Sequence, residues 1–199
     1  MENLKIKVEK FAGSPRQVAD LARTTIGLED GNKQVRESYM RKMYLCEHSP
    51  IRAEMYLITF ENIPYWVVMH FARHKFGVEH FVSTQRDDRQ INVDVPRSKK
   101  AQGEPVRYRM LLNAQAIINI SKKRLCTGAS KETRYCWQLV VDKLREINPQ
   151  LVRCCVADCV YRGWCYEHKS CGLHKTKHFR NLLNEYRDGI NDYGISDEE

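Results

Sequence analysis

Residues 73–86 read Arg-His-Lys-Phe-Gly-Val-Glu-His-Phe-Val-Ser-Thr-Gln-Arg, directly behind the apolar run Tyr65-Trp66-Val67-Val68-Met69-His70-Phe71-Ala72. Arg73, Lys75 and Arg86 can make charge-assisted bonds to anionic oxygens. His74 and Ser83 add neutral hydrogen-bonding groups of the kind that orient a planar ring. An isolated Arg-His-Lys is ordinarily a solvated basic turn. Here the cations follow an apolar helical run, so they fall where a buried helix meets a cleft, and the stretch reads as a phosphate-holding turn.

Working outward, Ser14-Pro15 is an N-cap followed by proline, and Val18, Leu21, Ala22 and Ile26 recur at helical spacing, which predicts a helix over 15–26. Val35, Tyr39, Met43 and Cys46 give a second over 33–46, ended by Ser49-Pro50. Residues 55–62 are β-branched and aromatic between Pro50 and Pro64 and predict a strand. Pro64 opens the helix that leads into the motif. Beyond it, Ile91, Val93 and Val95 alternate weakly, predicting an edge strand over 83–95, then a polar loop over 97–105. Met110, Leu111, Ala114, Ile117 and Ile118 read as another helix, with Asn113 and Arg124 on similar sides and Asn119 rotated away. Trp137, Val140, Val141 and Leu144 mark a long helix that ends near Asn148-Pro149, with Glu132 favourable to its dipole. Phe179, Leu182, Leu183 and Tyr186 mark a last one, before a frayed end at Ser196–Glu199.

The 199 residues suit one domain, 1–199. Lys and Arg outnumber Asp and Glu by 33 to 25, a net charge of +8 that favours anionic partners such as nucleotides, folates or nucleic acid. No apolar run reaches membrane-span length or follows a signal-peptide start, so a cytoplasmic protein without membrane association is expected. Of eight cysteines, five crowd into the Cys-rich segment 154–171. Without a secretory signal they are free thiols or a metal site, and Cys155, Cys159, Cys165 and Cys171 are the candidate tetrahedral zinc ligands. No metal is the first expectation, because free cysteine often simply fills core space.

Arg73-His74-Lys75, seven residues, then Ser83 resembles the signature of the flavin-dependent thymidylate synthases, Arg-His-Arg, seven residues, then Ser. The likeness extends to His48-Ser49-Pro50, similar to that family's His-x-Ser/Thr-Pro, and to Asn113-Ala114-Gln115, Asn119, Arg124, Ala129 and Glu132, in the same order and with similar spacing. It covers roughly residues 10–150 in separated pieces. The resemblance implies an α+β fold with helices packed on a small mixed sheet, assembled as a homotetramer. It also implies FAD-dependent methylation of dUMP to dTMP, with methylenetetrahydrofolate and NADPH as co-substrates. Carried over by position, Ser49, Arg73, His74, Lys75, Asn113, Gln115 and Asn119 would contact FAD. His70, Ser83, Thr84, Gln85, Arg86 and Arg124 would surround the nucleotide. Arg124 and Ser83 would be the catalytic positions, the first polarising the pyrimidine and the second orienting it.

Several positions depart from the pattern. Lys75 keeps the charge of an arginine without its planar fork. Gln115 and Gln85 replace arginines, Gly128 stands where histidine is common, and the stretch between Arg86 and Asn113 is short. Arg107 or Arg109 could replace the arginine missing there. Two other readings remain open: a flavin-binding relative with altered one-carbon chemistry on a pyrimidine nucleotide, and a basic, zinc-stabilised nucleic-acid-binding module, nucleic acid being the less expected partner.

Overall fold

The computed structural model describes residues 1, 3–89 and 95–188. Four strands, β1 (Lys5–Ala12), β2 (Met55–Pro64), β3 (Val78–Val82) and β4 (Pro105–Asn113), form an antiparallel sheet in the order β1-β2-β4-β3. Val106, Tyr108, Met110 and Leu112 of β4 are buried while Arg107 and Arg109 face water, the period-two alternation of a sheet covered on one side. Ile6 and Val8 of β1 lie on the covered face, with Lys5 and Lys7 outside.

Helices α1 (Pro15–Thr24), α2 (Glu37–Leu45), α3 (Tyr65–Phe71), α4 (Ala114–Arg124), α5 (Lys131–Ile147), α6 (Pro149–Val152), α7 (Asp158–Arg162) and α8 (Lys177–Arg187) complete the described chain. The fold is α+β, helices on a small sheet, as expected. Ser14 caps α1 in a capping box with Gln17, and Ser130 caps α5. The buried stripe of α5, Cys136, Trp137, Val140, Val141 and Leu144, packs on β1 and reaches α3 and α4. Phe60, Phe71, Tyr108 and Trp137 form a stacked aromatic core between sheet and helices.

Three expectations change. Residues 105–113 form a central strand instead of the start of a helix: their alternation pairs with β2, and the helix begins only after Asn113, whose side chain caps it. The strand expected over 83–95 lies earlier, at Val78–Val82. Residues 87–89 form a 3-10 turn, and 90–94 fall outside the described residues. Strand β1, alternating Lys5-Ile6-Lys7-Val8, was not expected at all.

Where β1 ends, Gly13 adopts φ +83°, and a Cβ there would lie 2.4 Å from the Ala53 carbonyl oxygen, so only glycine fits. Beside it the fully buried Glu54 accepts hydrogen bonds from Lys10 Nζ, Tyr44 and Tyr56, while Asn148 donates to both tyrosine hydroxyls at 2.8 and 2.7 Å. Burial, then the Glu54 charge, pushes both phenols well above their ordinary range, so they remain donors. Glu54→Ala would remove the acceptor of an ammonium and two hydroxyls. The expected loss in urea unfolding is about 3 kcal/mol, with Lys10→Met, which leaves the tyrosine contacts in place, losing less.

Candidate functional site

Helix α3 ends at Phe71, and the chain turns through Arg73, His74 and Lys75 into β3. Arg124, the last residue of α4, reaches this turn. Its Nη2 donates to the His70 carbonyl and its Nε donates to His74 Nε2 at 2.9 Å. His74 Nε2 is therefore an acceptor and carries no proton. Burial, then Arg124 and His80, hold its pKa down to about 4. Arg124 is itself lowered by burial and then by Arg73, and His70 is lowered by burial, Arg124 and Arg73. Cations thus crowd one another around a neutral imidazole, an arrangement relieved by an anion.

Behind the turn the ring orientations are fixed. His80 Nε2 donates to the His74 carbonyl at 2.7 Å, and its Nδ1 meets the Tyr108 hydroxyl at 2.6 Å. His70 Nδ1 meets Thr133 Oγ1 at 2.7 Å, and Thr133 Oγ1 accepts from Ser130 at 2.8 Å. The start of α5 therefore holds His70. A cleft of ≈ 280 Å³ opens in front, lined by His74, Lys123, Arg124, Cys126, Ala129 and Glu167 among others. A larger opening of ≈ 710 Å³, with Arg16, Arg23, Lys33 and Arg36 on its wall, contains none of the motif residues.

The other expected residues are dispersed around this centre. Ser83 is exposed; its Oγ accepts from the Arg107 amide at 3.1 Å, and both nitrogens of His80 are already engaged, so His80 does not serve it as an activating base. Thr84 is exposed and accepts from the Arg86 amide, and Arg86 pairs with Asp88 at 2.9 and 2.6 Å. The buried Nε2 of Gln85 has no hydrogen-bond partner among the described residues. Arg73 and Lys75 are exposed, and neither makes an ion pair among the described residues. Arg107 pairs with Glu61 at 2.7 Å.

Asn113 caps α4 by accepting from the Ala116 amide at 2.9 Å and leans on Gly77, where a Cβ would lie 2.5 Å from its amide nitrogen. It stands about 16 Å along the helix axis from Arg124, so only an extended ligand touches both. Gln115 and Lys122 both donate to Glu47, and Gln115 lies 3.5 Å from the exposed Asn119. Ser49 is exposed in a 3-10 turn, Ser49–Ala53. The Arg124–His74 bond joins positions fifty residues apart in sequence, and no local spacing announces it.

The proposed zinc set is not brought together. Cys155 lies in the main core, its thiol donating to the Leu151 carbonyl, away from Cys159, Cys165 and Cys171. Among the described residues no three His, Cys, Asp or Glu side chains are arranged as they stand to hold a metal ion, and no helix is long and apolar enough to cross a membrane.

No protein-family model and no curated protein match the sequence. Solved structures do match in fold. A UMP/dUMP methylase, PolB from Streptomyces cacaoi, solved with 5-Br dUMP, superposes with TM-score 0.59 at 13% identity over 75% of this chain and 94% of that one. Thymidylate synthase X from Helicobacter pylori, solved with FAD and dUMP, gives 0.59 at 12% identity over 76% of this chain and 99% of that one. The fold is that of the flavin-dependent thymidylate synthases.

The His74 environment sets a pH dependence. The folded ring titrates near 4, below its ordinary 6.5, so the unfolded chain binds more protons in between, and this group's contribution to stability falls as pH drops through that window. In histidine-resolved NMR the His74 ring should stay neutral down to pH ~5, and Arg124→Gln should move its titration upward.

Proposed function

We propose that the protein methylates dUMP to dTMP as a flavin-dependent enzyme, with methylenetetrahydrofolate as one-carbon donor and NADPH as reductant. The observation that carries this reading is the crowding of Arg73 and Arg124 around the neutral His74 at the mouth of a cleft, on a fold shared with an enzyme solved with FAD and dUMP. FAD, when bound and reduced by NADPH, would supply the hydride that the one-carbon transfer requires.

The chain's own residues have distinct tasks in this reading. Arg73 and Lys75, exposed and without ion pairs among the described residues, offer charge to phosphate oxygens. Ser49, His74, Gln115 and Asn119 supply neutral contacts to the flavin, and Asn113 keeps the start of α4 in place beneath it. His70, Ser83, Thr84, Gln85 and Arg86 border the nucleotide, Arg86 exchanging Asp88 for phosphate. Arg124, already held by His70 and His74, presents its remaining N–H groups to the pyrimidine and stabilises the negative charge that develops on the ring. Phe76 is 90% exposed and Phe81 57%, apolar surface that fits burial between subunits of a homotetramer. Lys75, Gln85 and Gln115, together with the likeness to a UMP/dUMP methylase, favour a second reading in which the same site methylates another pyrimidine nucleotide.

The purified protein should be yellow and tetrameric, and Arg73→Ala should weaken FAD binding by about 1.5–3 kcal/mol. With NADPH and methylenetetrahydrofolate it should release tritium from carbon-5-labelled dUMP and form dTMP, and Arg124→Ala should lower turnover by roughly 10²–10³. Methyl transfer to UMP and none to dUMP would establish the second reading. A colourless monomer that binds oligonucleotides in a salt-sensitive way would overturn both.

A further inference from the structure

The segment from Cys154 to Lys175 has little to hold it by packing. It contains one five-residue helix, α7, and a 3-10 turn, and the small apolar cluster it joins has Cys159 and Val160 from α7 and Phe179 and Tyr186 from α8 as its buried members among the described residues. Yet it encloses a cavity of ≈ 10 Å³, room for about one water-sized particle. Four of the lining residues are cysteines from three separate places: Cys126 in the turn after α4, Cys159 in α7, and Cys165 and Cys171 in the loop beyond it. All four are free.

The Gly128 amide, two residues after Cys126, donates to its Sγ at 3.4 Å. Gly172, at φ +83°, lets the chain turn back over Cys171. Amide donors to sulfur orient a metal ligand and stabilise its negative charge. His174 lines the same cavity, but Ser170 holds its Nδ1 and Trp164 packs on its ring, so it serves as wall.

We propose that Cys126, Cys159, Cys165 and Cys171 bind one zinc ion as a tetrahedral thiolate site. Zn–S bonds of about 2.3 Å require the four sulfurs to close on one point, and Cys165 and Cys171, on a loop with no helix or strand, can rotate inward to do so. Binding displaces the thiol protons, so affinity falls as pH drops. The site's position gives it a task. Cys126 lies two residues beyond Arg124, and Cys126 and Glu167 line both this cavity and the anion cleft. The ion therefore pins the loop that forms the cleft's far wall, whichever nucleotide the cleft takes.

Elemental analysis of the full-length native protein should find about one zinc per chain. Cys126→Ser and Cys171→Ser should each lower it at least about fivefold, while Cys46→Ser, outside the cavity, keeps it. Because the first two variants can misfold, the wild type gives a second measure. Cobalt should replace zinc with the absorption of a tetrahedral thiolate complex, and chelation should expose four additional reactive thiols. Native protein without zinc that develops no thiolate-to-cobalt band, or zinc retained undiminished in Cys126→Ser, would overturn the proposal.

Discussion

The buried carboxylate of Glu54 is the constraint around which the rest of the molecule is arranged. Its side chain gathers Lys10 from β1, Tyr44 from α2 and Tyr56 from β2, and Asn148 joins the two tyrosines from the junction of α5 and α6. Its backbone carbonyl accepts from the Ala114 amide and so fixes where α4 begins. A buried charge is tolerable only when its partners are supplied by the fold, so separate segments must arrive together for any of them to be satisfied. Close approach of β1's end to this centre makes Gly13 obligatory.

From that anchored start, α4 carries Arg124 about 16 Å along its axis to the turn after α3. There the electrostatic logic reverses. Glu54 is surrounded by donors, whereas Arg124 has a carbonyl, an imidazole and a neighbouring Arg73, with no carboxylate hydrogen-bonded to it among the described residues. A half-buried guanidinium in that setting is tolerated at some expense of stability, and an anionic ligand relieves it. His74, kept neutral, can accept from Arg124 without adding a third positive charge.

Much of this architecture was legible in the sequence wherever signals were local. Ser14-Pro15 announces a helix start, and the α5 stripe announces its buried face. What escaped was non-local. Met110, Leu111, Ala114 and Ile117 mimic a helical spacing only because a strand and a helix meet at Asn113. The alternation of Val106, Tyr108, Met110 and Leu112 gains its meaning from pairing with β2, residues far away in sequence. The motif pointed to the turn that Arg124 reaches, and the likeness of pattern pointed to the right fold. Neither could reveal that Asn113 is engaged as a helix cap or that Gln115 is held by Glu47.

The cysteines show the same limit from the other side. Sequence proximity groups Cys155 with Cys159, but a residue at the end of the core-facing α6 segment cannot also face the loop that follows. The Leu151 carbonyl and the main core claim Cys155. Cys126, nearly thirty residues before that segment, takes its place because α4 ends where the loop returns. Two unrelated stretches, one carrying the arginine of the anion cleft and one rich in cysteine, thereby share a wall. Cys126 and Glu167 line both cavities, so a restraint on Cys126 is felt along the chain by the arginine two positions before it.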